Sequence, residues 1–297
     1  MPLESKTPST LCLYHNDTDG RASAAIVRRA LGPDIRLYQM DYQDSVPLEH
    51  IITADKIIIV DFSLPREDMA KLARYHQLTW IDHHKTAIDD LSPISASLPG
   101  LRDTSEAACV LTWQYFFPGH PLPRAIRLIG DRDIWRWAED DTGPFTEGLY
   151  HRDTRPLNDN LWNPLLDDDI SLIEDIIQKG KILREARMKD IRKTIRRHGF
   201  MVLFEGYRTL VINTRGSGDI GQQVRDLGYQ IAYCYIDNIL QGEITTFVTL
   251  YAGDVDVAAI AKKFGGGGHR GAAGFHFPRQ HTPFPPGAQV EYVQQAK

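Results

Sequence analysis

Cysteine is scarce in this chain of 297 residues, and Cys12, Cys109 and Cys234 are the whole supply. An odd, widely spaced trio excludes a disulfide frame and points to reduced thiols, hence to a cytoplasmic setting. Long apolar runs are missing too, which leaves no candidate membrane span. The opening Met1-Pro2-Leu3-Glu4-Ser5-Lys6 carries no signal-peptide pattern. Nor is there a surplus of positive charge. With 34 basic against 39 acidic residues the formal net charge is -5, so no global field recruits a long nucleic acid. An anionic ligand must be held locally, by metal or by a few placed cations. No internal repeat is present. The remainder, 42% hydrophobic and 25% charged, is the profile of a globular protein long enough for two domains.

Three apolar runs end in polar chemistry. Thr10 to Tyr14 reads as a buried strand and leads into His15-Asn16-Asp17-Thr18-Asp19-Gly20. In an extended segment His15, Asp17 and Asp19 share a face, which makes a ready set of metal ligands. Gly20 is expected to permit a tight turn before a helix over Arg21 to Leu31. After a strand at Ile35 to Met40, the β-branched run Lys56 to Val60 stops at Asp61. A helix is expected from Pro65 to Tyr75. Leu78 to Ile81 then ends in Asp82-His83-His84, a combination that core packing does not call for. Strands alternating with helices predict right-handed crossovers and a parallel sheet. Ligands of such sheets bind outside the carboxyl ends of the strands.

Helices are expected over Thr104 to Phe117 and Pro123 to Trp137, the second carrying Asp131-Arg132-Asp133. Trp135 and Trp137 read as core or site wall. Asp140 to Pro164 is rich in Gly, Pro, Asn and Asp and reads as a loop that covers the site. Asp169 to His198 is a long helix, basic in its second half, that connects two domains. Strands are expected at Phe200 to Phe204, Thr209 to Asn213, Gln230 to Asp237 and Glu243 to Tyr251, forming a smaller sheet. Between them the glycine-rich turn Arg215 to Gly221 opens a short helix suited to an anion. A compact helix, Val257 to Phe264, precedes Gly265 to Gly274, read as a loop whose backbone approaches a phosphate. The Pro-rich tail from Pro278 onward reads as irregular.

Carboxylates and imidazoles without thiolate suit Mn²⁺, and also Mg²⁺, Co²⁺ or Zn²⁺. Five or more oxygen ligands are too many for one catalytic zinc and fit two ions about 3.5–4 Å apart. Hydrolysis of a phosphoester or phosphoanhydride is the natural outcome.

His15-Asn16-Asp17-Thr18-Asp19-Gly20, Val60-Asp61, Asp82-His83-His84, Asp131 and Gly266-Gly267-Gly268-His269-Arg270-Gly271-Ala272-Ala273-Gly274 resemble the successive motifs of the DHH/DHHA1 phosphoesterase superfamily. Their order covers nearly the whole chain. The first motif, with Asp131-Arg132-Asp133-Ile134-Trp135, is most similar to the nanoRNase-like branch, which degrades very short oligoribonucleotides. Other branches are single-strand exonucleases, cyclic-dinucleotide phosphodiesterases, adenosine bisphosphate phosphatases and polyphosphatases.

The resemblance implies an α/β fold, with a parallel-sheet DHH domain at 1–185, a connecting helix at 186–199 and a smaller α/β DHHA1 domain at 200–297. It implies His15, Asp17 and Asp61 around one divalent ion and Asp19, Asp61, His83 and Asp131 around the other, with Asp61 bridging. Both ions are expected to be Mn²⁺, with Mg²⁺ or Co²⁺ as substitutes. The resemblance further implies attack by a hydroxide that the ions share. His84 would face the scissile phosphate or leaving oxygen, and Asp82 would orient an imidazole. His269, Gly266, Gly267 and Gly268 would grip a substrate phosphate, with Arg270 or Arg215 as helpers. Two features depart from many members: the first histidine stands nearer the paired aspartates, and Tyr251-Ala252-Gly253 occupies a place where others carry arginine.

The expected activity is removal of mononucleotides from short oligonucleotides. The alternatives are a phosphatase or phosphodiesterase of small nucleotides (a cyclic dinucleotide, an adenosine bisphosphate) or of polyphosphate, and, from another class, a non-catalytic nucleotide sensor. Expected partners are short single-stranded oligonucleotides or small phosphorylated nucleotides, with no membrane. The sequence leaves the oligomeric state open, a homodimer being one option.

Overall fold

The computed structural model describes residues 9–292 apart from residue 43, so the opening Met1 to Lys6 and the last five residues lie outside the described residues. The chain divides between Arg184 and Glu185 into two compact units. In order, the first contains β1 (Thr10–His15), α1 (Thr18–Leu31), β2 (Arg36–Met40), α2 (Leu48–Ile51), β3 (Lys56–Val60), α3 (Arg66–Tyr75), β4 (Gln77–Ile81), α4 (Lys85–Asp90), α5 (Ser92–Ser95), α6 (Ala108–Phe116), α7 (Arg124–Asp133), α8 (Thr142–Tyr150) and α9 (Asp159–Leu166). The dividing point falls within α10 (Ile170–His198).

The first unit is built on a four-stranded, all-parallel sheet of order β2-β1-β3-β4. The central strands β1 and β3 are mostly apolar and buried because both of their faces are covered. Leu11 and Leu13 of β1 and Ile57 and Ile59 of β3 enter one core with Trp80 and Met69. Their neighbours Cys12, Tyr14, Ile58 and Val60 enter another with Ala24 and Val27 of α1. Because β1 pairs with β2 on one side and β3 on the other, chain direction across the sheet reverses between β1 and β3. That is where open α/β sheets leave a crevice at their carboxyl edge.

Two sequence expectations are corrected here. Helix α6 starts at Ala108 rather than at Thr104. Residues 140–164 are not a loop, since they hold α8 and α9. Gly148, which suggested a loop, serves helix packing together with Gly180 of α10. A Cβ on Gly148 would sit 2.1 Å from the carbonyl oxygen of Ile176, and one on Gly180 would sit 1.7 Å from that of Pro144. Only glycine lets α8 and α10 approach so closely.

The second unit holds β5 (Gly199–Phe204), β6 (Tyr207–Asn213), α11 (Gly218–Asp226), β7 (Ile231–Leu240), β8 (Glu243–Ala252), α12 (Val257–Lys263), β9 (Gly267–His269), β10 (Ala272–Pro278) and β11 (Val290–Tyr292). These form a seven-stranded mixed sheet of order β11-β5-β6-β7-β8-β10-β9, larger than the first sheet rather than smaller. The stretch Gly265 to Gly274, expected as a loop, is mostly the β9–β10 hairpin, with Ala272 opposite His269. Part of the tail pairs as well, through Val290 opposite Phe204. No helix among the described residues is long and apolar enough to cross a membrane.

Candidate metal centre

Each ligand candidate stands at the carboxyl end of a strand of the parallel sheet or at a helix end beside it. His15 closes β1, and Asp17 is the N-cap of α1, where one carboxylate oxygen accepts from the Gly20 N–H at 2.8 Å. That helix therefore begins at Thr18, and Gly20 lies inside it rather than in a turn. A Cβ at Gly20 would meet the carbonyl oxygen of His15 at 2.2 Å, so glycine is what allows α1 to start against the end of β1. Asp61 follows β3 with a left-handed backbone (φ 65°) that aspartate tolerates better than most residues. Asp82 and His83 follow β4, and Asp133 ends α7.

These residues converge. His15 Nδ1 lies 3.1 Å from Asp17 Oδ2 and 3.5 Å from Asp61 Oδ2. His83 Nε2 lies 3.3 Å from Asp61 Oδ1, 3.4 Å from Asp133 Oδ2 and 3.7 Å from Asp19 Oδ2. Ligand atoms fall into three overlapping groups: His15 with Asp17 and Asp61; Asp19 with His83 and Asp133; and Asp61 with His83 and His84. Asp61 thus stands between two clusters, with one oxygen toward each. It is 1% exposed, and neither of its carboxylate oxygens has a hydrogen-bond donor among the described residues. A buried carboxylate without donors is expensive unless a cation meets it. The donor set of carboxylates and imidazoles fits hard to intermediate divalent cations.

Electrostatics tell the same story. Withdrawal from solvent, reinforced by the charges of Asp19, Asp17 and Asp133, raises the Asp61 carboxyl well above the usual carboxylate range. Burial and the charges of Asp19 and Asp17 raise Asp133 as well. Burial lowers His83 and keeps its imidazole neutral, the form in which it ligates a metal. Burial also opposes charge on Asp17, yet the hydrogen bond and charge of His15 prevail and lower it. His15 is raised in turn, because the carboxylates Asp17, Asp41 and Asp19 outweigh its burial.

Asp19 and Asp82 have further tasks. The Asp19 carboxylate accepts from Ala108 N–H at 2.8 Å and Cys109 N–H at 2.7 Å, so it caps α6 from a distant part of the chain. This is why α6 begins at Ala108 with no side-chain cap of its own. Asp82, wholly buried, accepts from the His83 and His84 amides and from His84 Nδ1 at 2.8 Å. The imidazole it orients is therefore that of His84, whose Nε2 faces away from Asp82.

Asp131, expected as a ligand, is not among the ligand atoms that the structure brings together. Its carboxylate accepts from Ala138 N–H at 2.9 Å, from Glu139 N–H and from the Thr142 hydroxyl, which ties down the turn after α7. Asp133, two residues on, reaches the cluster in its place. Sequence reasoning also missed Asp41, whose Oδ1 is 3.7 Å from His15 Nε2, and Tyr42, whose ring lies beside His15 and His84. Asp41 follows β2 as Asp61 follows β3, and that parallel was the available signal. The remaining candidates belong to the second unit. His269 and Arg270 are exposed on the β9–β10 hairpin, beside Gly266, Gly267 and Gly268, and Arg215 is exposed ahead of α11. Arg270 donates to the Asp254 carbonyl at 3.3 Å.

Comparison with known proteins follows the same lines. Residues 9–126 match the model of the DHH family, N-terminal domain. Uncharacterized protein R106 of Acanthamoeba polyphaga mimivirus is 26% identical over 254 residues, which cover 82% of this chain. The chain spans 57% of that relative's length. Among solved structures, a pGpG-specific phosphodiesterase of Vibrio cholerae is 12% identical, with 91% of this chain and 93% of that one covered at a TM-score of 0.53. The DHH domain of a protein described as a member of a ribosomal protein family is 16% identical, with 90% and 82% covered at a TM-score of 0.54. These likenesses establish the fold. Residues 9–126 thus resemble the DHH family's N-terminal domain, and the fold of these solved structures extends over most of the chain.

Proposed function

We propose that the chain is a phosphodiesterase that uses two divalent metal ions, Mn²⁺ foremost, to cut short oligonucleotides into mononucleotides. One observation carries the proposal: Asp61, buried and without donors among the described residues, lies between the His15–Asp17 and the Asp19–His83–Asp133 groups. Residues of those two groups would hold one ion each, with Asp61 shared. When bound, such ions acidify a water and neutralise phosphoryl oxygens. The protein's own residues do the rest. Asp82 accepts from His84 Nδ1 and so fixes the tautomer in which Nε2 is the reactive nitrogen, set to exchange a proton at the scissile phosphate or its leaving oxygen. The sheet edge and α1 hold the ligands rigidly, which keeps the reorganisation needed for attack small.

Short substrates are favoured by charge. A net charge of -5 does not supply the many cations that counterion release from a long polymer requires. The Vibrio cholerae protein with this fold is described as specific for pGpG, a linear dinucleotide, which supports the same substrate class by analogy. The second unit, with His269, Arg270, Gly266, Gly267, Gly268 and Arg215, is proposed to grip the substrate. A labelled RNA dinucleotide, a cyclic dinucleotide and inorganic polyphosphate, assayed side by side with Mn²⁺, test the proposal. Mononucleotides from the linear dinucleotide are expected; its survival while another substrate is consumed would defeat the assignment.

A further inference from the structure

Beside the acidic cluster lies a pocket of about 430 Å³, within the range of about 300–1,000 Å³ typical of small-ligand sites. It belongs wholly to the first unit. Asp17, Asp19 and Asp133 line it on the side of the cluster, and Arg21, Arg132 and Arg152 line it too, with Tyr150 as an aromatic wall. While the four ligand carboxylates Asp17, Asp19, Asp61 and Asp133 are bare, they outweigh the three arginines. Two divalent ions would bring four positive charges, offset those four carboxylates and leave the arginines as the pocket's net charge, so an anion belongs there when the centre is loaded.

The arginines are not equivalent. Arg21 spends its guanidinium on the Thr154 hydroxyl and the Asn16 side chain, each at 2.8 Å, and Arg152 is paired with Asp175 at 2.6 Å. Arg132 has no such anchor. Its guanidinium lies 5.2 and 5.7 Å from the ring centres of Trp135 and Trp137, and among the described residues it makes neither a hydrogen bond nor a carboxylate contact within ion-pair distance. Both tryptophans have left-handed backbones (φ 60° and 53°), so the turn after α7 is bent at two non-glycine positions where it brings aromatic faces to this guanidinium. A stacked arginine keeps its planar N–H fork pre-organised for a phosphate.

We infer that this pocket is a second phosphate site. It takes the terminal 5′-phosphate of a short oligonucleotide whose scissile phosphate lies at the acidic cluster, with Arg132 as its principal contact. This rests on the phosphodiesterase reading above and narrows its substrates to 5′-phosphorylated ones. The sequence carried the clue in Asp131-Arg132-Asp133, where the arginine sits next to a cluster carboxylate.

The test compares the dinucleotides pApA and ApA on the Mn²⁺-loaded full chain, in the wild type and in the Arg132→Ala and Arg132→Lys variants. A preference for pApA in kcat/KM of at least tenfold, equivalent to about 1.4 kcal/mol, is expected for the wild type. Arg132→Ala should bring that ratio close to one, and Arg132→Lys should leave it in between. No wild-type preference, or a preference that survives Arg132→Ala while both rates fall together, overturns the inference. Calorimetric binding of analogues whose bridging oxygen is replaced by CH₂ separates this claim from the one it rests on. If neither dinucleotide is turned over, the phosphodiesterase reading fails. The pocket then stands if the 5′-phosphorylated analogue binds tenfold tighter through Arg132, and falls if both analogues bind alike.

Discussion

Replacing Asp61 by Asn is the sharpest perturbation of the proposed centre. The substitution keeps shape and removes only charge. Asparagine tolerates the left-handed backbone at φ 65°, whereas alanine would add strain of its own. In the metal-free protein the Asp61 carboxyl is raised by burial and by the charges of Asp19, Asp17 and Asp133. A raised acid contributes stability that is complete below its unfolded value and lost as pH rises through the folded one. At neutral pH and above, the metal-free wild type therefore carries a cost that the Asn variant lacks, and the variant should melt no lower. Adding Mn²⁺ reverses the order. A site at one hundred times its Kd stabilises the wild type by about 2.7 kcal/mol, or roughly 5–11 °C for a unit of this size. The variant, without the shared ligand, should gain less than half of that. Its rate on a dinucleotide should fall by about 10³-fold or more, about 4 kcal/mol of barrier. Scanning calorimetry in EDTA and in Mn²⁺, with the rate assay, reads all three. An Asn variant that keeps both the Mn²⁺ shift and the activity would refute the bridging role.

Three further expectations follow from the geometry. Asp82→Asn removes the acceptor that orients His84 and should lower kcat about 10–100-fold with little change in KM, as read by steady-state kinetics with metal saturating. Asp131→Asn should cost about 1–3 kcal/mol in denaturant unfolding yet keep its activity per folded molecule, because Asp131 holds the turn at Ala138 and Thr142. Asp133→Asn should abolish Mn²⁺-dependent activity, and the opposite pattern for the pair would restore Asp131 as the ligand. Finally, Mn²⁺ must displace protons held on Asp61 and Asp133 above the usual carboxylate range. Apparent affinity should therefore rise with pH, with proton release visible as a buffer-dependent binding enthalpy, and a pH-independent affinity would contradict the raised acids.

The strand ends were legible because parallel strands all deliver their carboxyl termini to one edge, so His15, Asp61, Asp82 and His83 needed only the correct class of sheet. Helices hide more. Residues two apart on a helix point to nearly opposite sides at 3.6 residues per turn, and nothing in Asp131-Arg132-Asp133 says which aspartate turns inward. Gly148 looked like a loop signal because the helix backbone it lets in lies well along the chain. The start of α6 was invisible for a related reason. Its cap is Asp19, about ninety residues earlier, and no local window contains both.

That cap makes one carboxylate answer to two masters. Asp19 closes the amide end of a helix packed in the interior and also faces His83 across the acidic cluster. The two demands pull on the same oxygens, so an ion arriving at His83 should be felt at the first turn of α6, and loosening of α6 should be felt by the ion. Neutralising Asp19 would consequently confound chemistry with architecture. Variants with a disabled centre, for structural or binding work, are better made at Asp61, whose side chain anchors no helix.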